Sequence, residues 1–169
     1  MDDTVDGDDS TICGFTALTP PTTIAATVWD GWHHAVPWPG HTFMIVEKNS
    51  KRAITLPDTS GRVCLQDTHE GHDTNARQQW HCVRRYGWFG FLNPQSGKYL
   101  GHNDHNGIVA RADKQGCWEN LMPRKHPDGG YELLLPHWWW AVRVMVVAHD
   151  GKSLAVRDDG TTLWEFVKV

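Results

Sequence analysis

The densest set of side chains able to do chemistry lies between Val28 and Gly40, where Trp29, Asp30, Trp32, His33, His34 and Trp38 crowd together. A histidine beside a carboxylate can move a proton near neutral pH, and indole rings supply apolar walls with one directed N–H donor each. His33, His34 and Asp30 are therefore candidate acid–base residues, and Trp29, Trp32 and Trp38 candidate pocket walls. A second aromatic cluster, Trp138-Trp139-Trp140, follows Pro136-His137. Alternate side chains of a strand face opposite ways. Trp138 and Trp140 would then share one face and Trp139 the other, so one ring reaches the surface unless residues 11–40 cover it. Trp138 and Trp139 are candidate ligand contacts. A third group sets Tyr99 near His102-Asn103-Asp104-His105-Asn106. Tyr99, Asn103 and Asp104 combine an aromatic platform with hydroxyl-binding amide and carboxylate groups, as a sugar site requires.

Metal and nucleophile chemistry find less support. Thr68-His69-Glu70-Gly71-His72-Asp73 and His102-Asp104-His105 are the densest runs of ligand-type side chains, and both read as hairpin loops. His69-Glu70-Gly71-His72 is not an HExxH pair, which in any case needs a helix. No metal or other cofactor is expected. The cysteines Cys13, Cys64, Cys82 and Cys117 form no CxxC, so they read as reduced structural thiols. No Gly-x-Ser-x-Gly, Walker loop or dinucleotide fingerprint is present.

The elements that must position these residues are strands. Long amphipathic helical patterns are absent, and short β-branched and aromatic runs alternate with Gly, Pro, Asn and Asp. Twelve strands are expected, in three sets of four: 42–47, 52–56, 62–66 and 79–83; 88–92, 98–100, 108–112 and 118–121; 131–135, 141–146, 153–157 and 163–167. The sets open near Phe43, Trp88 and Tyr131 and close on Trp80, Trp118 and Trp164. Val109-Ala110-Arg111-Ala112-Asp113 before Trp118-Glu119 parallels Ala155-Val156-Arg157-Asp158-Asp159 before Trp164-Glu165. Three repeats of about 43 residues over 41–169 predict an all-β chain, a β-trefoil of three four-stranded repeats with an N-terminal extension. No repeat alone can bury its apolar face, whereas three close a barrel and remove free edges. Trp80, Trp118 and Trp164 are expected at equivalent core positions.

The chain has 169 residues and a formal net charge of −4. Five aspartates (Asp2, Asp3, Asp6, Asp8, Asp9) lie in residues 1–10, and the remainder carries +1. Three parts follow: an acidic, disordered tail over 1–10, a Trp/His-rich strap over 11–40, and the trefoil. The balance argues against nucleic acid as a partner. No apolar run approaches the ~20 residues of a membrane span, and an acidic start is unlike a secretory signal. A cytoplasmic location is expected.

Gly97-Lys98-Tyr99-Leu100, Gly107-Ile108-Val109-Ala110-Arg111-Ala112 and Trp118-Glu119 resemble the repeat of fascin-like, actin-crosslinking trefoils, and Gly151-Lys152-Ser153-Leu154 with Trp164-Glu165 echoes it. Gln78-Gln79-Trp80 resembles the Gln-x-Trp signature of ricin-B-type lectin trefoils, once. The general pattern also looks like small fungal proteins of this fold class. The resemblance implies a binding module that recognises a protein or another ligand through aromatic loop residues. The residues leave three alternatives open. One is a small cofactor-independent enzyme (cyclase, isomerase or dehydratase type) that acts on an apolar metabolite in a Trp-lined pocket. The others are a glycan-binding, lectin-like module and a protease inhibitor.

Overall fold

A computed structural model describes residues 34–68, 75–138 and 141–169. Trp29, Asp30, Trp32, His33 and Trp139 lie outside these, as do Cys13, Trp140 and the run from His69 to Asp73. The expectations attached to them therefore remain expectations.

Among the described residues the short β-branched and aromatic runs form twelve strands. The first repeat holds β1 (Thr42–Glu47), β2 (Arg52–Thr55), β3 (Cys64–Asp67) and β4 (Gln79–Arg85). The second holds β5 (Trp88–Asn93), β6 (Lys98–His102), β7 (Ile108–Ala112) and β8 (Met122–Lys125). The third holds β9 (Tyr131–His137), β10 (Ala141–Val147), β11 (Leu154–Arg157) and β12 (Trp164–Lys168).

The first and last strand of each repeat close a ring. β1 pairs β4, β4 pairs β5, β8 pairs β9, β9 pairs β12 and β12 pairs β1. The ring is completed between β5 and the start of β8 by the Phe89–Leu121 bridge, with N–H···O bonds of 3.0 and 2.8 Å. The middle strands form the hairpins β2–β3, β6–β7 and β10–β11. This is the six-stranded barrel with three hairpins of a β-trefoil.

The hairpins lock one another in a ring. Leu65 N–H donates to Lys152 O (2.8 Å), Ala110 N–H to Gly61 O (2.9 Å) and Val156 N–H to Asn106 O (2.8 Å). Each repeat satisfies a backbone donor on a neighbouring repeat, so none is complete alone. Equivalent side chains share the core: Ile54, Leu100 and Met145 are fully buried, and so are Trp80, Leu121 and Trp164. The Trp80 indole donates to Ile54 O (2.9 Å) and that of Trp164 to Met145 O (3.3 Å).

That second triad corrects the expected repeat. Residues 118–121 do not form a strand. Cys117–Glu119 is a 3-10 turn, matching Ala76–Gln78 in the first repeat, and β8 starts at Met122. Leu121 takes the core place equivalent to Trp80 and Trp164. From the equivalent residues Ala110 and Val156, the core position follows after eleven residues in repeat two and eight in repeat three. The three extra residues make one 3-10 turn and lift Trp118 out of the core.

The described part of the N-terminal strap runs beside β12. His34 bridges Val167, Ala35 N–H donates to Phe166 O (2.8 Å), and Ala35 packs against the core. Among the described residues no helix is long and apolar enough to cross a membrane.

Candidate binding site in the second repeat

A cavity of about 550 Å³ opens where repeat two meets the β9–β10 turn. Trp88 at the start of β5 and His102 at the end of β6 line it, with Asn103, Asp104 and Asn106 from the hairpin tip. The turn Cys117–Glu119 contributes Cys117 and Trp118, with Asn120 following. Pro136, His137 and Trp138 form the opposite wall.

Trp118 is 49% exposed, yet it is held from several sides. His102, buried, lies against its ring with centroids 5.4 Å apart and planes at 22°. Nδ1 of His102 donates to Asn103 O (3.1 Å). The Glu119 carboxylate accepts from Gly116 N–H (3.0 Å) and pins the start of the turn. Burial raises the Glu119 carboxyl above its ordinary value, although the backbone donors and the nearby His102 oppose that rise. Gly101 allows the turn to sit this close: a Cβ there would stand 2.6 Å from Trp118 O.

A buried amide supports the floor. Gln115 donates to Asn120 Oδ1 (3.0 Å) and reaches Trp88 O (3.4 Å), while Arg85 donates to Gln115 O (3.1 Å). Gly90 leaves the room for it, since a Cβ at Gly90 would fall 2.7 Å from the Gln115 amide carbon.

The hairpin tip is built by Asn103, whose Oδ1 accepts from His105 N–H (3.0 Å) and Gly107 N–H (2.9 Å). Its carbonyl is thus committed to the turn. Asp104 is exposed, with Oδ1 2.7 Å from Nδ1 of His105. Trp138 does not lie on a strand as expected. It stands in the turn after β9 with φ +54° and is 68% exposed. His137 meets it edge-on at 6.0 Å. Left-handed backbone is costly for a bulky L-residue, about 1–3 kcal/mol, and such strain gathers where geometry serves a ligand. Burial, together with the charges of Arg143 and His102, lowers the pKa of His137, and Asp158 opposes this.

The structure thus brings Asn103, Asp104 and Trp138 together and adds His102, read from the sequence only as part of a ligand-type run, Trp118, read as core, and His137. Tyr99 lies on β6, ahead of the register shift between Tyr99 and Leu100, and does not line the cavity. Trp38 is 56% exposed beside the Pro39-Gly40 turn and does not line it either. His34 faces Glu165 at 3.7 Å rather than the cavity. Among the described residues no group of three or more His, Cys, Asp and Glu is placed to hold a metal. Cys64, Cys82 and Cys117 are free thiols; burial pushes Cys82 up to about 12, while Cys117 is exposed.

No protein-family model matches the sequence, and no curated protein matches it. Solved structures do match in shape. The designed three-fold symmetric protein ThreeFoil is 19% identical with a TM-score of 0.63, covering 76% of this chain and 99% of that one. The Macrolepiota procera ricin B-like lectin, solved with lactose, is 15% identical with a TM-score of 0.63, covering 78% and 98%. A GlcNAcα1-4Gal-releasing endo-β-galactosidase from Clostridium perfringens is 14% identical with a TM-score of 0.63 over 76% of this chain. The chain spans about a third (32%) of that enzyme. At these identities the likeness establishes the β-trefoil fold.

Proposed function

We propose that this chain is a glycan-binding trefoil module whose sugar seat is the cavity between Trp118 and Trp138. One observation carries the reading: Trp118 is half-exposed, yet stacked against buried His102 and held in a turn that Glu119 pins at Gly116. A sugar ring offers an apolar C–H face and a rim of hydroxyls. A fixed indole face takes the first at little entropic cost, and the Asp104 carboxylate with the Asn120 and Asn106 amides takes the second. The lactose complex of the Macrolepiota procera lectin supports a sugar as the ligand class.

Of the residues that carry the fascin-like resemblance, 97–100 and 107–112 lie on or just before β6 and β7 and not in the cavity, whereas Trp118 lines it. The strand residues speak for the fold and not for actin as a partner.

The reading is tested by titrating the chain against a glycan array, then measuring the best ligand by calorimetry. Binding is expected at micromolar to millimolar strength and should be lost in Trp118→Ala. An array without hits, or a Trp118→Ala variant that binds as well as the parent, overturns it.

A further inference from the structure

A second cavity, of about 470 Å³, adjoins the first. Asn106 lines both. The second cavity lacks an aromatic wall among its described residues and is lined by His105, Arg143, Arg157, Asp158 and Asp159.

The two cavities are joined through a chain of polar contacts. Arg143 donates through Nη1 to Asn106 Oδ1 (2.9 Å) and through Nε to Asp158 Oδ1 (2.7 Å). Asn106, at φ +60°, also accepts the Val156 N–H that ties repeat two to repeat three. The β9–β10 hairpin serves both cavities: Pro136 and His137 line the first, and Arg143, paired with Leu135, lines the second. Two arginines and two aspartates line it, with Arg143 paired to Asp158, so these four side chains balance in charge. Fixed donors and acceptors in alternation suit vicinal hydroxyls, and the absence of net charge gives an anionic ligand no advantage.

We infer that the ligand is a neutral oligosaccharide of at least two units, its terminal ring on Trp118 and its next ring over Asn106, Arg143 and Asp158. This rests on the glycan reading above and extends it from one ring to a chain, bound across the seam between repeats two and three. Asp158 has 83% of its side chain exposed, so its removal does not disturb the fold.

The test is an array printed with the mono-, di- and trisaccharide of each common neutral terminal sugar, beside sialylated and sulfated counterparts, titrated with the parent, Asp158→Ala and Arg157→Ala. The second unit is expected to tighten binding roughly tenfold, the effect of one or two added hydrogen bonds. That gain should fall in Asp158→Ala while the monosaccharide signal is retained. A monosaccharide bound as tightly as its disaccharide overturns the inference and leaves the sugar seat standing. Preference for acidic glycans also overturns it. An array with no hits removes both.

Discussion

His102 lies nearly parallel to Trp118, ring centroids 5.4 Å apart and planes at 22°, with the histidine buried and the tryptophan half in solvent. The pair joins the end of β6 to the turn before β8, so the exposed ring is held by a strand of the hairpin and by its own turn. The tryptophan that meets solvent and those that hold the barrel together should therefore respond differently to truncation.

Trp118→Ala should abolish glycan binding and leave urea stability within about 1 kcal/mol of the parent. Trp80→Ala or Trp164→Ala should cost about 3–5 kcal/mol, since each removes a fully buried indole and its hydrogen bond. Equilibrium urea unfolding beside calorimetric titration measures both effects.

Gly101→Ala should act on the site through the backbone. The new methyl group would collide with Trp118 O at 2.6 Å and force the turn outward. Binding should weaken at least about tenfold, with a stability loss of about 1–3 kcal/mol. Serine at this position should behave like alanine, because the obstacle is the Cβ itself.

Trp138→Gly separates strain from function. Glycine adopts φ +54° freely, and the lost ring is 68% exposed. Stability should hold or rise by about 1 kcal/mol in urea unfolding, while affinity for the glycan falls.

Glu119 governs one part of the pH response. Its folded pKa is raised by burial, so the native state holds the proton more tightly than the unfolded chain does. Its unfavourable contribution is absent below the ordinary carboxyl range, grows as pH rises through the folded value, and is full at neutral pH. Glu119→Gln keeps an acceptor for Gly116 N–H and removes the titration. The variant should gain most in relative stability near pH 7, and the difference should shrink toward pH 4. Urea midpoints across that range give the curve.

Cys117 offers a direct reporter of occupancy, because it lines the cavity and is exposed. Saturating glycan should slow its alkylation several-fold by site-resolved mass spectrometry. Cys82, buried and with its thiol held up near 12, should stay unlabelled with or without ligand.

The fold was legible because strand patterning repeats three times and periodicity survives local drift. Trp80 and Trp164 were legible as core for the same reason. Trp118 was not: it follows Arg111 at the same spacing at which Trp164 follows Arg157, so the count made it a core residue. A three-residue 3-10 turn changed its meaning, and the only trace in the sequence is that Leu121, three residues on, also fits the apolar position. His102 was visible as a possible ligand residue but not as a stacking partner, because its neighbour lies sixteen residues away across a turn. Residue type alone put Asn103 and Asp104 at a hairpin tip, and both line the cavity from that tip, Asn103 with its side-chain carbonyl spent on the turn.

The turn that lifts Trp118 occurs in unequal forms around the barrel. In repeat one the matching turn, Ala76–Gln78, presents Arg77 at that position, and β11 reaches β12 in repeat three without such a turn among the described residues. Among the described residues this turn therefore offers one aromatic seat rather than three. On the proposed glycan reading, a chain engaging sugar through that seat should coat a sugar-bearing surface without agglutinating particles. Avidity would require several chains to be tethered side by side.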